Sequence, residues 1–244
     1  MLALTDHDEL SGLAEAAEAA NEAGIRLVAG VEISVSWAGR TVHVVGLSVD
    51  PLNPVLIDGL RANRSGRLER AQRMADSLAG VGIPGALHGA RLLASNPELI
   101  SRTHFARFLV ASGRVKDIKT VFKKFLVRGK PGYVPHQWAS LADAVGWIRQ
   151  AGGVAVLAHP GRYEMGKEKM SLLFEEFKAV GGTAVEVVTG SHTADQVPIY
   201  ADYACRYGLR ASAGSDFHAP GEGGRELGRL QPLPSGCVPV WLNW

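Results

Sequence analysis

Four short polar clusters carry the residue types that could do chemistry: Thr5-Asp6-His7-Asp8, Gly30-Val31-Glu32, Ala158-His159-Pro160 and Ser215-Asp216-Phe217-His218. His43 adds a fifth position, inside an otherwise apolar run. Imidazole nitrogen and carboxylate oxygen together suit Zn, Mn or Fe, and no cysteine stands near any of them, which points to a catalytic rather than a structural metal. Each piece also has a plainer role. A histidine at a strand end can be a hydrogen-bonded loop residue, Glu32 could pair with Arg26 or Arg40, and Asp216 could cap the turn that follows it. The Asp-Phe-His spacing puts both polar side chains on one side of an extended segment, which is common. The joint occurrence carries the argument, because every plainer role would have to hold at once.

Such ligands need a scaffold that brings distant positions together. Short apolar runs alternate with helical patterns, as βαβ units require. Strands are expected over 1–5, 25–29, 41–47, 154–158, 184–188 and 209–213. Helices are expected over 10–23, 141–150, 172–180 and 199–207, most of them stopped by glycine. The unit strand, polar loop, helix places each cluster at a strand's C-terminal end, where parallel α/β folds put their chemistry. Between them, 54–131 reads as mostly helical, punctuated at Gly80, Gly82, Pro84, Gly85 and Pro97, and is expected to be an inserted basic helical subdomain. The barrel part would then be 1–53 with 132–244.

Charge is segregated in the same way. From Arg61 to Lys130 there are 15 Lys/Arg against 4 Asp/Glu, a net of +11 inside a chain whose total is +2. A basic element of that kind faces either an anion or only solvent. Length of 244 residues, 46% apolar and 20% charged, is the balance of a folded soluble chain with one large domain or one domain carrying an insertion. Two cysteines, Cys205 and Cys237, exclude a disulfide framework or a cysteine-rich zinc fold. No run of 18 apolar residues and no apolar leader is present, so no membrane span or export is expected, the location is expected to be cytoplasmic, and no obligate protein partner is evident.

The Thr-Asp-His, Gly-Val-Glu, Ala-His-Pro and Ser-Asp-Phe-His clusters, in this order, resemble the PHP (polymerase and histidinol phosphatase) metallophosphoesterases over nearly the whole chain. Ser101-Arg-Thr-His-Phe-Ala-Arg107, Gly129-Lys-Pro-Gly-Tyr133, Ala158-His-Pro-Gly-Arg-Tyr163 and Gly214-Ser-Asp-Phe-His-Ala-Pro-Gly221 resemble the branch of nucleoside 3',5'-bisphosphate phosphatases and 5'-3' exoribonucleases. The resemblance implies a distorted (βα)7 barrel holding two to three divalent ions, Mn first, with Fe or Zn as alternatives. It implies that Glu32 bridges two metals, that His43 and His159 complete the second, that Asp216 binds the first, and that His7 and His218 bind the third. His7, Glu32, His159, Asp216 and His218 would then also be the catalytic set. The family pattern begins with a strand ending in His-x-His, whereas this chain starts at Met1 directly before Thr5-Asp6-His7. That first strand is therefore expected to be missing, as from an internal start or a truncation.

Clustered divalent ions suit phosphate-ester hydrolysis, because they generate hydroxide near neutral pH and neutralise phosphoryl charge. No Gly-x-Ser-x-Gly elbow, phosphate loop or cysteine nucleophile motif offers a rival route. Arg102, His104, Arg107, Lys130 and Arg162 could recognise a second phosphate, since guanidinium matches phosphate oxygens bidentately. Arg61, Arg64, Arg67, Arg70 and Arg73 recur every three residues and are expected to spread around a solvated helix. Tyr133, Tyr163 and Phe217 could stack a base or pack a loop. The substrate expected is a nucleoside 3',5'-bisphosphate or short 5'-phosphorylated RNA. The alternatives are a small phosphorylated metabolite such as histidinol phosphate, or a silent module that binds phosphate or nucleic acid.

Overall fold

The computed structural model describes residues 1–94, 96, 99–220 and 225–244; Pro97 and Gly221, singled out in the sequence, lie outside them. Six strands form one sheet in chain order: β1 (Leu2–Leu4), β2 (Leu27–Trp37), β3 (Arg40–Leu47), β4 (Val154–Leu157), β5 (Ala184–Thr189) and β6 (Arg210–Gly214). The helices are α1 (Leu13–Glu22), α2 (Pro54–Arg64), α3 (Arg67–Ala79), α4 (Ala86–Leu92), α5 (Arg102–Ala111), α6 (Ile118–Val121), α7 (Leu141–Gln150), α8 (Lys167–Ala179) and α9 (Gln196–Tyr207).

The sheet is mixed rather than parallel throughout, and it has six strands among the described residues. β1 pairs with β2 in parallel, β3 runs antiparallel to both β2 and β4, and β4, β5 and β6 are parallel again. The departure lies in 30–40. Val31, Ile33, Val35 and Trp37 continue the buried apolar alternation past the expected end at 29, so β2 does not stop there. Ala38 and Gly39, with φ of 46° and 73°, then reverse the chain in a two-residue hairpin. Turns with two left-handed residues match the twist of the strands they join, which is why β3 returns beside β2 without a crossover helix. Glu32 is consequently an interior residue of β2, not a strand end.

By contacts the chain separates into two compact units, Met1–Arg61 with Trp138–Trp244 and, between them, Ala62–Gln137. Packing accounts for where these two units divide. Leu56 and Leu60 of α2 belong to the first unit's core with Val31, Ile33, Val44, Ile148, Leu157, Phe174 and Phe177, and Gly59 lies directly against the Trp147 indole. At the other limit, Val134 joins the second core of Leu78, Phe105, Leu109 and Leu126, and Gly132 packs on Leu126 and Leu78. In the first unit α8 buries Phe174 and Phe177 fully, each worth about 2–3 kcal/mol of transfer free energy. Those helices hold the sheet whose loops carry the polar clusters.

Candidate metal centre

Glu32 is the hub of the first unit's polar cluster. Its backbone extends the β1–β2 pairing: the Glu32 N–H donates to Asp6 O at 3.0 Å and the Asp8 N–H donates to Glu32 O at 2.9 Å. That bridge sets His7 beside Glu32. Asp8, fully buried with φ of 54°, locks it by accepting the Ser34 N–H and Oγ–H, both at 2.8 Å. In β3, His43 stands opposite Ser34, and β4 ends where His159 begins its turn.

The side chains converge. Glu32 Oε1 lies 2.8 Å from His43 Nδ1 and 2.9 Å from His159 Nε2, and those two nitrogens are 3.2 Å apart. Glu32 Oε2 lies 3.8 Å from His7 Nδ1, and His7 Nε2 is 3.4 Å from His218 Nε2. Asp216 Oδ1 is 3.7 Å from His218 Nδ1, while its Oδ2 accepts from Arg162 Nη1 at 2.7 Å. Donor atoms of His7, Glu32 and His43, and of Glu32, His159 and Asp216, each fall within 4.8 Å of one another. The structure therefore brings all six sequence-predicted ligands into one cluster, and Arg162 with them.

The electrostatics suit a cation. Burial alone would push the Glu32 carboxyl up, but His7, His43 and His159 outweigh it and hold the group well below the usual carboxylate range. Burial presses the His43 imidazole down to about 4, although Glu32 pulls the other way. At His159 burial also lowers, yet the hydrogen bond and charge of Glu32 prevail and raise it. One carboxylate oxygen thus faces two imidazoles, and burial favours the neutral form of the His43 ring, the form that ligates. His7 Nδ1 and His159 Nδ1 are buried without a hydrogen-bond partner among the described residues, an arrangement that costs free energy unless another group satisfies them. Nitrogen and oxygen donors without thiolate fit a first-row divalent ion.

Among the supporting residues, Glu186 and His192 were not singled out in the sequence, and Tyr163 was read only as a residue that could stack a base or pack a loop. The His159 N–H donates to Glu186 Oε2 at 2.7 Å, the Gly161 N–H to His192 Nε2 at 3.0 Å, and the His43 N–H to Tyr163 Oη at 2.7 Å. Tyr163 is buried against the His159 ring, centroids 5.5 Å apart, so it serves the cluster and not a stacked base. Glu186 had a readable signal: a lone acid in the apolar run Ala184-Val-Glu-Val-Val188, the same signal that marked His43.

Arg102, His104, Arg107 and Lys130 lie in the second unit. His104 Nδ1 accepts the Ser101 N–H at 3.0 Å, closing a capping box at the start of α5. The Arg102 guanidinium sits 5.9 Å from the Phe122 ring centre, and Lys130 is exposed. The arginine series is not uniformly solvated. Arg67 and Arg70 are buried with Ala71, Met74 and Leu78 on the inner face of α3, and Arg70 Nε donates to Val134 O at 3.0 Å. Burial and then its neighbours Arg102 and Arg67 bring the Arg70 guanidinium down to about 10.

No family model matches the chain. A 3',5'-nucleoside bisphosphate phosphatase of Chromobacterium violaceum is 58% identical over 241 residues, covering 99% of this chain and 85% of that protein. A 5'-3' exoribonuclease of Escherichia coli is 42% identical, covering 100% of this chain and 83% of that protein. A solved structure from Bifidobacterium adolescentis, described as a metal-dependent phosphoesterase, superposes with a TM-score of 0.80 at 26% identity, covering 98% of this chain and 82% of that one.

Proposed function

The chain belongs to the PHP family of metal-dependent phosphoesterases, and on that premise we propose that it hydrolyses a phosphate ester of a nucleoside 3',5'-bisphosphate or of the 5' end of a short RNA. The observation that carries this reading is the convergence of His43 Nδ1 and His159 Nε2 on Glu32 Oε1, at 2.8 and 2.9 Å. The names of the two relatives, a bisphosphate phosphatase and an exoribonuclease, support the substrate class.

His7, Glu32, His43, His159, Asp216 and His218 would hold two to three divalent ions, Mn first among them. Bound there, such ions supply water ionised near neutral pH and positive charge against the phosphoryl oxygens. The chain's own residues then have defined tasks. Glu32, kept ionised by its histidines, balances the positive charge. Asp216 is aimed by Arg162, whose side chain is 48% exposed and offers its remaining donors to a phosphate oxygen. In the second unit, Arg102, His104, Arg107 and Lys130 are assigned to phosphate recognition. That assignment fits the +11 balance of their segment, which favours a more anionic substrate than histidinol phosphate.

The test is elemental analysis of protein purified without chelator, followed by phosphate release from four substrates. These are a nucleoside 3',5'-bisphosphate, the matching monophosphate, histidinol phosphate and a 5'-phosphorylated oligoribonucleotide. Two or more ions per chain with the bisphosphate or the oligonucleotide turned over fastest is the expected result. Absence of bound metal even after Mn addition, or fastest turnover of histidinol phosphate, would overturn it.

A further inference from the structure

His159 occupies a backbone conformation that a residue with a Cβ rarely adopts, φ 26° and ψ 56°, and its side chain is 3% exposed. Left-handed non-glycine residues persist only where their surroundings hold them. On the N–H side of His159 the described residues supply that hold through the Glu186 Oε2 acceptor at 2.7 Å. Glu186 lies in β5, a strand buried at every position, opposite Ser212 of β6 and beside a bulge between Glu186 and Val188. Valine would serve such a strand better, since a buried carboxylate is costly without partners. The fold instead keeps room for it: a Cβ added at Gly214 would collide with Glu186 Oε1.

We infer that Glu186 is a positioning residue for the metal centre: its carboxylate captures the His159 N–H and so holds the strained turn from which the imidazole reaches Glu32. The inference rests on the reading of His159 as a metal ligand. Glu186 acts as a backbone acceptor, and a neutral acceptor of the same shape can do its task. Residues that orient a ligand from behind commonly change metal affinity by about 10–100-fold when removed.

The experiment compares the parent chain with Glu186→Gln, Glu186→Leu and His159→Ala, each stripped with chelator and titrated with Mn in a calorimeter. kcat and KM for a nucleoside 3',5'-bisphosphate are measured on the loaded proteins, and far-UV circular dichroism on the stripped ones. Glu186→Gln keeps an acceptor and should bind Mn within about 3-fold of the parent. Glu186→Leu should lose about 10–100-fold in Mn affinity, with kcat falling more than KM rises and the stripped spectrum unchanged. Parent-like Mn binding by Glu186→Leu while His159→Ala has lost it would overturn the inference alone. Equal losses in Glu186→Gln and Glu186→Leu would also overturn it, because charge rather than the acceptor would then matter. A parent that binds no Mn would overturn the metal centre and this inference together. If Glu186→Leu does not fold, Gly214→Ala displaces the same carboxylate from β6, and unchanged Mn affinity there counts against the inference.

Discussion

Glu32 shows how much one residue can concentrate. A carboxylate buried to 7% exposure in a strand interior would be a liability unless paired. Here three imidazoles surround it and hold it ionised. Glu32→Gln keeps shape and volume, removes the charge and turns one acceptor oxygen into an NH2 donor. It is expected to lower bound metal to less than half of the parent stoichiometry and phosphate release to a few per cent of the parent rate. Elemental analysis beside a kinetic assay reads both, and parent-like metal content would refute the role given to the carboxylate. His159→Ala should abolish turnover as well, since it removes one of the two nitrogens on Glu32 Oε1; retention of more than a few per cent of the parent rate would contradict that. Asp8 belongs at the same scale: fully buried, it spends both oxygens on Ser34 and so fixes the backbone on which His7 sits.

At the level of elements, the β2–β3 hairpin decides where Glu32 and His43 meet. Its turn places Ala38 at φ 46°, a position that suits asparagine before glycine. Ala38→Asn is therefore expected to stabilise the protein by about 0.5–1 kcal/mol, seen as a higher denaturation midpoint at unchanged slope. A lower midpoint would show that the turn is held by its strands regardless of residue type. α7, which packs Val145 and Ile148 into the core of the same unit, depends on its first turn. Ser140 Oγ accepts the Asp143 N–H at 3.1 Å and donates to Asp143 Oδ2 at 2.6 Å. Ser140→Ala should cost about 1 kcal/mol, measured by urea unfolding, without altering metal content.

Over the whole molecule, each unit buries its own apolar clusters among the described residues, so stability and metal binding are expected to be perturbed independently. Phe105 is fully buried in the second unit's core, whereas all six candidate ligands lie in the first unit. Phe105→Ala should destabilise by about 3–5 kcal/mol and leave metal per chain unchanged at low temperature; calorimetry and elemental analysis on one sample would decide, and lost metal would show that the units are coupled. The cluster composition, the α/β alternation and the metal chemistry were all legible in the chain alone, because donor atoms are fixed by residue type and periodicity by burial. Glu186 was hidden as a supporting residue only in the sense that its signal, an acid in an apolar strand, has no meaning until the neighbour it serves is known. The antiparallel return of β3 was not legible, since an apolar run pairs equally well in either direction and the two left-handed residues Ala38 and Gly39 decide it. Nor could a three-residue arginine spacing say that Arg67 and Arg70 turn inward while Arg73 stays out. What the sequence determined by itself was which atoms are available; what the tertiary structure decided was which of them share a few ångströms, because that distance is set by strand pairing and packing between residues as far apart as His7 and His218.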